Sequence, residues 1–287
     1  MKVHLIKYLE SKSILSSHQY GFRSGLSTFD ALNSLTRDLY EALDQRMSAI
    51  TIYIDFKSAF DTINHDILLK KLPFYEIRGP ILEWFKSYLT KRTQSVTYLD
   101  ATSSKLVQTR GIPQGSVLGP ILFLTYIQDM PNVFDSLKSI LFADDSSLIV
   151  IGPNLHDLIY RANSELDKLY TWVLSNRLTI NTSKTHYSIT TNKTYNFLPP
   201  LFIHFDVISE VPYHKVLGVV IDNRLSFEQH IKTVKQKINS SISMLNHLKT
   251  LIPTYIKRSL YFAHIQSHLS YCVSIFGSTY PTHLLQL

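Results

Sequence analysis

Apolar residues along the chain follow two rhythms, and the switches between them divide it into elements. From 28 to 45, Phe29, Leu32, Leu35, Leu39, Ala42 and Leu43 recur at spacings of three and four, the period of a helix with one buried face. Ser27 and Asp30 supply a capping-box start. The period then shortens to two. In TIYID, Ile50, Ile52 and Ile54 alternate with Thr51, Tyr53 and Asp55, which predicts a half-buried strand ending on a carboxylate. Helices are expected at about 64–72, closed by Pro73, and at about 80–89.

The stretch 94–111 reads as a β-hairpin turning at Ala101-Thr102-Ser103-Ser104. Next, GIPQGSVLGPILFLTYIQDMP predicts a tight loop entering a helix that is apolar nearly all round and therefore buried. SILF and SSLIV are two short strands joined through Ala143-Asp144-Asp145, and a long amphipathic helix follows over 155–175. RLTIN is expected to be another strand. Ser226 and Gln229 then mark a capping box for a helix carrying Ile231, Val234, Ile238, Ile242, Leu245 and Leu248 on one face, and a further helix starts after Pro253. No self-similar period appears, which excludes a solenoid or propeller.

Composition narrows the class. The chain has 287 residues, 45% hydrophobic, with only 9 Gly and 11 Pro, so it can bury a core and is neither disordered nor collagen-like. One cysteine, Cys272, rules out a disulfide scaffold and a Cys-built zinc site, and suits a reducing compartment. The longest apolar stretch, 117–127, contains Gly119, Pro120 and Thr125 and is too short to span a bilayer, and the first residues lack the apolar core of a signal peptide. The expectation is an intracellular protein of nucleus or cytoplasm, neither secreted nor membrane-bound. The net charge is +7. From 226 onward Lys232, Lys235, Lys237, Lys249, Lys257 and Arg258 face Glu228 alone, so most of the surplus is C-terminal. Such a surplus is equally a solvated face or a grip on nucleic acid.

Three aspartates stand out: Asp55 at a strand end, and Asp144 with Asp145 at a hairpin tip. An isolated Asp-Asp pair is usually turn chemistry. In LFADDSSLIV, however, apolar strands flank it on both sides and place it on a sheet. The element order suits a small antiparallel sheet with helices packed on one face, in which neighbouring strands bring the three carboxylates together. Clustered carboxylates are hard oxygen donors that suit Mg²⁺ and in-line phosphoryl displacement.

TIYIDFKSAFDTINHDILLKKL, GIPQGSVLGPILF and LFADDSSLIV, in that order, resemble the three palm motifs of reverse transcriptases. QYGFRSGLSTFDAL, WFKSYLTKRTQSV, NRLTINTSKT and HKVLGVVIDNRLSFEQHI narrow the resemblance to the non-LTR, LINE-type, jockey-like retrotransposon branch, over about 6 to 280. It implies an α+β, right-hand polymerase-like fold: partial fingers over 1–48 and 62–108, palm over 49–61 and 109–225, and a partial helical thumb over 226–287. It also implies an RNA-directed DNA polymerase that extends a DNA primer on an RNA template with deoxynucleoside triphosphates. Two Mg²⁺ ions are expected, with Mn²⁺ as a substitute.

Residue by residue, the resemblance makes Asp55, Asp144 and Asp145 the metal-binding triad, with the Phe56 carbonyl as an added oxygen ligand. Phe60 matches the steric gate that excludes a ribose 2′-hydroxyl; without the motif it reads as a core Phe. Gln114 and Gly115 match the loop contacting the incoming nucleotide and template. Lys184 matches the lysine that protonates pyrophosphate, although a lone exposed Lys is more often simply solvated. Leu217 and Gly218 match the primer-grip hairpin. Arg23 and Arg92 are candidates for backbone contacts with primer or template, and equally for surface ion pairs. Asp61 and Asp66 read as capping or structural.

On this resemblance the chain is expected to lack the family's basic fingertip strand before QYGFR and its upstream endonuclease domain, and to carry a shortened thumb. The expectation is therefore a retrotransposon-derived fragment with an intact catalytic centre. The rival reading is a catalytically inactive remnant that only binds nucleic acid.

Overall fold

A computed structural model describes residues 2–248, 250–277 and 279–285. In chain order its elements are α1 (Lys2–Ser11), α2 (Thr28–Asp44), β1 (Ser48–Ile54), α3 (Ala59–Thr62), α4 (His65–Lys71), α5 (Pro80–Leu89), β2 (Thr93–Gln94), β3 (Thr97–Tyr98), β4 (Ala101–Thr102), β5 (Leu106–Val107) and α6 (Gly119–Ile127). There follow β6 (Lys138–Phe142), β7 (Asp145–Gly152), α7 (Leu155–Ser175), β8 (His186–Thr190), β9 (Leu201–Ile203), β10 (Asp206–Glu210), β11 (Tyr213–Val216), β12 (Val219–Asp222), α8 (Glu228–Leu248) and α9 (Thr254–Tyr261), then short helical turns.

The sheet runs β6-β7-β1-β8-β10-β9. Every pairing is antiparallel except β8 with β10, a parallel contact at Ser209↔His186 and Glu210↔Tyr187. On one face, Ile50, Ile52, Leu148 and Val150 join a core with α6, buried at every residue but Pro120, and with Leu158, Ile159, Leu166 and Leu169 of α7. The other face is also covered. There α2, started by the Ser27–Asp30 box in which Asp30 accepts from the Ser27 N–H at 2.8 Å, packs Leu32, Leu35 and Leu39 against Ala49, Ile140 and Ile149. This second core continues into the β11–β12 hairpin through Val219 and Ile221, and into the start of α8 through Phe227 and Ile231.

Double coverage corrects the half-buried strand expected over TIYID. Thr51 is 0% and Tyr53 4% exposed, since helix α2 covers that side of β1 and His214 stacks on Tyr53 at 4.1 Å. RLTIN is not a strand either. Only Ile180 bridges Phe56, because the chain turns over 181–184 beside Asp55 before β8 begins. The 94–111 hairpin exists, but Tyr98↔Ala101 places its turn at Leu99-Asp100 and not at Ala101–Ser104.

The capping box expected from Ser226 and Gln229 does not form. Phe227 takes φ +54°, and the Asp222 carboxylate accepts from the N–H groups of Arg224, Ser226 and Phe227 ahead of α8. The apolar face of α8 is buried only over its first half. Val234 and Ile238 are enclosed while Ile242 is 43% exposed, and Lys249 lies outside the described residues.

Candidate active site

The site stands where β1 ends and β7 begins. The register pairs Ile54 with Ser146, so the next pair outward is Asp55 opposite Asp145. Phe142↔Asp145 closes the β6–β7 hairpin, leaving a two-residue turn, Ala143-Asp144, with Ala143 at φ +56°. A non-glycine residue at that angle is strained and needs surrounding structure to hold it. Local sequence explains the rest: buried strands on both sides force the polar pair to the tip, where it meets the end of β1.

Asp55 is held from three directions. Its N–H donates to Thr185 Oγ1 at 3.2 Å, its carbonyl accepts from the Asn181 N–H at 2.7 Å, and its carboxylate accepts from Asn181 Nδ2 at 2.9 Å. Ser183 Oγ in turn donates to Asn181 Oδ1 at 2.8 Å, which fixes the amide's orientation. The Asp145 carboxyl is pushed above the usual range, first by loss of hydration and then by the Asp144 and Asp55 charges. Asp145 thus lies within electrostatic reach of both Asp144 and Asp55. Among the described residues no Lys, Arg or His forms an ion pair with any of them.

Asp55 and Asp145 share a cleft of about 360 Å³ with Lys184, His186, His214 and Lys215. Among the described residues no group of three or more His, Cys, Asp or Glu side chains forms a ready-made cation cage. The donors nevertheless fit a hard divalent ion. They are uncompensated carboxylates, and the bridge beside them runs through the Asp55 and Thr179 carbonyls, which leaves the Phe56 carbonyl out of its bonds.

Phe60 is half-buried, stacked on Phe123 of α6 at 4.4 Å and met edge-on by Phe22 at 6.5 Å. Gln114 is exposed, and its Nε2 donates to both Asp61 carboxylate oxygens at 2.9 and 3.1 Å. Gly115 follows at φ +75° with open space around it. Gln114 and Asp61 border a polar cavity of about 580 Å³ that also contains Arg92 and Arg110. Leu217 and Gly218 form the β11–β12 turn at φ +45° and +91°, pinned where Tyr271 Oη donates to the Leu217 carbonyl at 2.6 Å. Arg23 borders neither cavity. Its Nη1 donates to the Ser16 and Gln19 carbonyls, and its Nε lies 3.9 Å from Glu10.

Asn181, Thr185 and His214 have no assigned role on sequence grounds, and Asp61 reads there as capping or structural. Asn181 sits in the motif that carries Lys184, so its nearness was the available signal. Thr185 closes the same motif and His214 opens the one that carries Leu217, so both offered the same signal, whereas the Asp61–Gln114 contact depends on tertiary pairing and left none.

Residues 1–221 match the family model "Reverse transcriptase (RNA-dependent DNA polymerase)". The chain is 28% identical over 94% of its length to the "Probable RNA-directed DNA polymerase from transposon BS" of Drosophila melanogaster, covering 31% of that protein. It is 27% identical over 99% of its length to the X-element counterpart from the same species, covering 32% of it. To the RNA-directed DNA polymerase from mobile element jockey of Drosophila funebris it is 26% identical over 93%, covering 30%. The chain thus spans about a third of the length of these relatives.

Among solved structures, telomerase from Candida tropicalis in complex with a fragment of telomeric RNA superposes with a TM-score of 0.58 at 13% identity, over 96% of this chain and 46% of that one. The apo form gives 0.55 at 12% identity, over 99% and 51%. At these identities the likeness is one of fold, and it supports the α+β polymerase-like architecture. No helix among the described residues is long and apolar enough to cross a membrane. With the family model matched over residues 1–221 and the transposon polymerases aligned over more than nine-tenths of this chain, the chain belongs to the reverse transcriptase family.

Proposed function

We propose that the chain carries the catalytic centre of an RNA-directed DNA polymerase, which adds deoxynucleotides to a DNA primer 3′-hydroxyl on an RNA template. The observation that carries this reading is the meeting of Asp55 and Asp145 across β1 and β7, with Asp144 in the adjoining turn and, among the described residues, no ion pair to any of the three. The parts follow the motif boundaries: fingers over 1–48 and 62–108, palm over 49–61 and 109–225, thumb over 226–287.

Asp55, Asp144 and Asp145, with the Phe56 carbonyl, would hold the divalent ions. Mg²⁺, or Mn²⁺ in its place, supplies Lewis-acid stabilisation of charge on the attacking and leaving oxygens when bound there. Asn181 and Thr185 keep Asp55 in one orientation, so its oxygens need not reorganise as substrate arrives. Lys184 sits in the same cleft, where its ammonium can hand a proton to the departing pyrophosphate. Phe60, braced from behind by Phe123, presents an aromatic wall to the sugar. Gln114 and Gly115 offer an amide and an unobstructed backbone to the nucleotide–template pair. Leu217 and Gly218 hold the primer end, and Arg92 meets the template backbone from the polar cavity. Arg23 acts instead by bracing the loop that precedes it.

The test is primer extension on an RNA template with Mg²⁺, compared with the double variant Asp144→Asn/Asp145→Asn. Extension by the native chain and its loss in the variant are expected. Extension that survives both substitutions overturns the triad. Salt-dependent primer–template binding without extension at any Mg²⁺ concentration favours the inactive nucleic-acid-binding remnant.

A further inference from the structure

The Ala143–Asp144 turn is not free-standing. Residues 18–20 run outside β6 as an added length of strand: the Leu141 N–H donates to the His18 carbonyl and the Tyr20 N–H to the Leu141 carbonyl, both at 2.8 Å. Gln19 bridges Leu141 in parallel and is only 2% exposed. Its Oε1 accepts from the Gly21 N–H at 2.8 Å and from the Ala143 N–H at 3.0 Å. Both donors are backbone amides, so the side chain can have only one orientation; a flipped amide would set NH₂ against two N–H groups. The same orientation leaves Nε2 buried without a partner. Burying an unpaired donor is costly, so the two bonds at Oε1 hold the amide against a real penalty.

Gly21 completes the contact. A Cβ there would lie 2.5 Å from the Ala143 nitrogen and 3.0 Å from the Phe142 carbonyl carbon, so only glycine lets the two backbones touch. The strained φ of Ala143 is thus bonded at its own N–H and blocked on one side.

We propose that Gln19 is a positioning residue for the β6–β7 turn, setting where Asp144 and Asp145 stand relative to Asp55. This rests on the reading of those carboxylates as the divalent-ion site. Gln19 touches no reacting atom; it acts through the Ala143 amide.

Two independent measurements test it on the full chain. In Gln19→Leu the Ala143 amide is expected to exchange with deuterium about tenfold faster or more, while Leu148 and Val150 in the middle of β7 keep their rates. Gln19→Glu keeps an acceptor and is expected to hold the Ala143 rate within about threefold of the native one. An unchanged Ala143 rate in Gln19→Leu, or equal loss in Gln19→Glu, overturns the clamp. Should the Leu variant not fold, Gln19→Asn, one methylene short of Ala143, carries the same comparison.

For the positioning role, the Mg²⁺ concentration giving half-maximal primer extension is expected to rise about tenfold in Gln19→Leu, with the KM for deoxynucleotide nearly constant. An accelerated Ala143 exchange with unchanged Mg²⁺ dependence overturns positioning. If the native chain extends no primer, the polymerase reading fails on its own. Terbium(III) titrated by luminescence then decides the proposal: weaker binding in Gln19→Leu supports it and equal binding overturns it.

Discussion

Asn181 grips Asp55 twice, donating its backbone N–H to the Asp55 carbonyl at 2.7 Å and its side-chain Nδ2 to the carboxylate at 2.9 Å. The second bond fixes one carboxylate oxygen and leaves the other for a ligand. Asn181→Leu keeps the size and removes the donor. By the usual cost of losing a partner behind a metal ligand, extension at sub-saturating Mg²⁺ should fall about 10- to 100-fold and recover in part at high Mg²⁺. An Mg²⁺ titration of primer extension checks this, and an unchanged titration removes Asn181 from the site.

Asp61 holds the Gln114 amide through both carboxylate oxygens. Asp61→Ala should therefore let Gln114 wander, raising the KM for deoxynucleotide by about 5- to 10-fold with little change in kcat, the value of one charge-assisted pair at an open site. Steady-state extension kinetics read the two parameters separately. A fall in kcat alone would contradict the assignment.

Phe60 is both a wall of the proposed sugar site and half of a stack with Phe123. Phe60→Val opens the wall, and ribonucleotide insertion relative to deoxynucleotide should rise about tenfold or more. The lost stacking and burial should cost about 1–3 kcal/mol in urea unfolding. Unaltered sugar selectivity alongside that stability loss would leave Phe60 as a core residue only.

His230 is 4% exposed, its ring set against Phe276, and its Nδ1 accepts from the Val220 N–H at 3.3 Å. Burial, and then the charge of Lys237, lower its pKa to about 4. Protonation of Nδ1 would also displace Val220. Because the folded pKa lies below the unfolded one, the unfolded chain takes up the proton first. This contribution is whole above about pH 6.5 and is lost progressively as pH falls toward 4. His230→Asn, which offers an oxygen near the Nδ1 position, should reduce the stability lost between pH 7 and 4 by something on the order of 2 kcal/mol, the shifted His214 keeping its own share. Equal slopes in both proteins would refute it.

The reading from sequence was strongest where one local pattern decided the outcome. Helices α2, α5 and α7 fall where the apolar spacing puts them, and the meeting of Asp55 with Asp145 followed from a carboxylate ending one strand and a carboxylate pair breaking two others. It failed where a distant partner decided. Thr51 and Tyr53 look solvent-facing until α2 and His214 cover them. Leu99 at φ +50° is a poor turn residue by any local rule, yet it turns the 94–107 hairpin while the turn-like Ser103-Ser104 lies beyond it. In the same way Asn181 is an ordinary loop residue until the fold lays it along Asp55, and Gln114 is a free amide until Asp61 takes it.

The core shared by α2, the β11–β12 hairpin and the root of α8 has a mechanical meaning. Phe227 and Ile231 are anchored against the back of the strands that carry Asp55 and Asp145, whereas farther along Ile242 and Met244 are exposed and Leu245 is only partly buried, against the small Val234–Ile238–Ile265 cluster. Such a helix is rooted firmly at the sheet and held by fewer buried contacts toward its tip. Whatever rests against the tip can flex it, while its base stays at a fixed distance from the carboxylates.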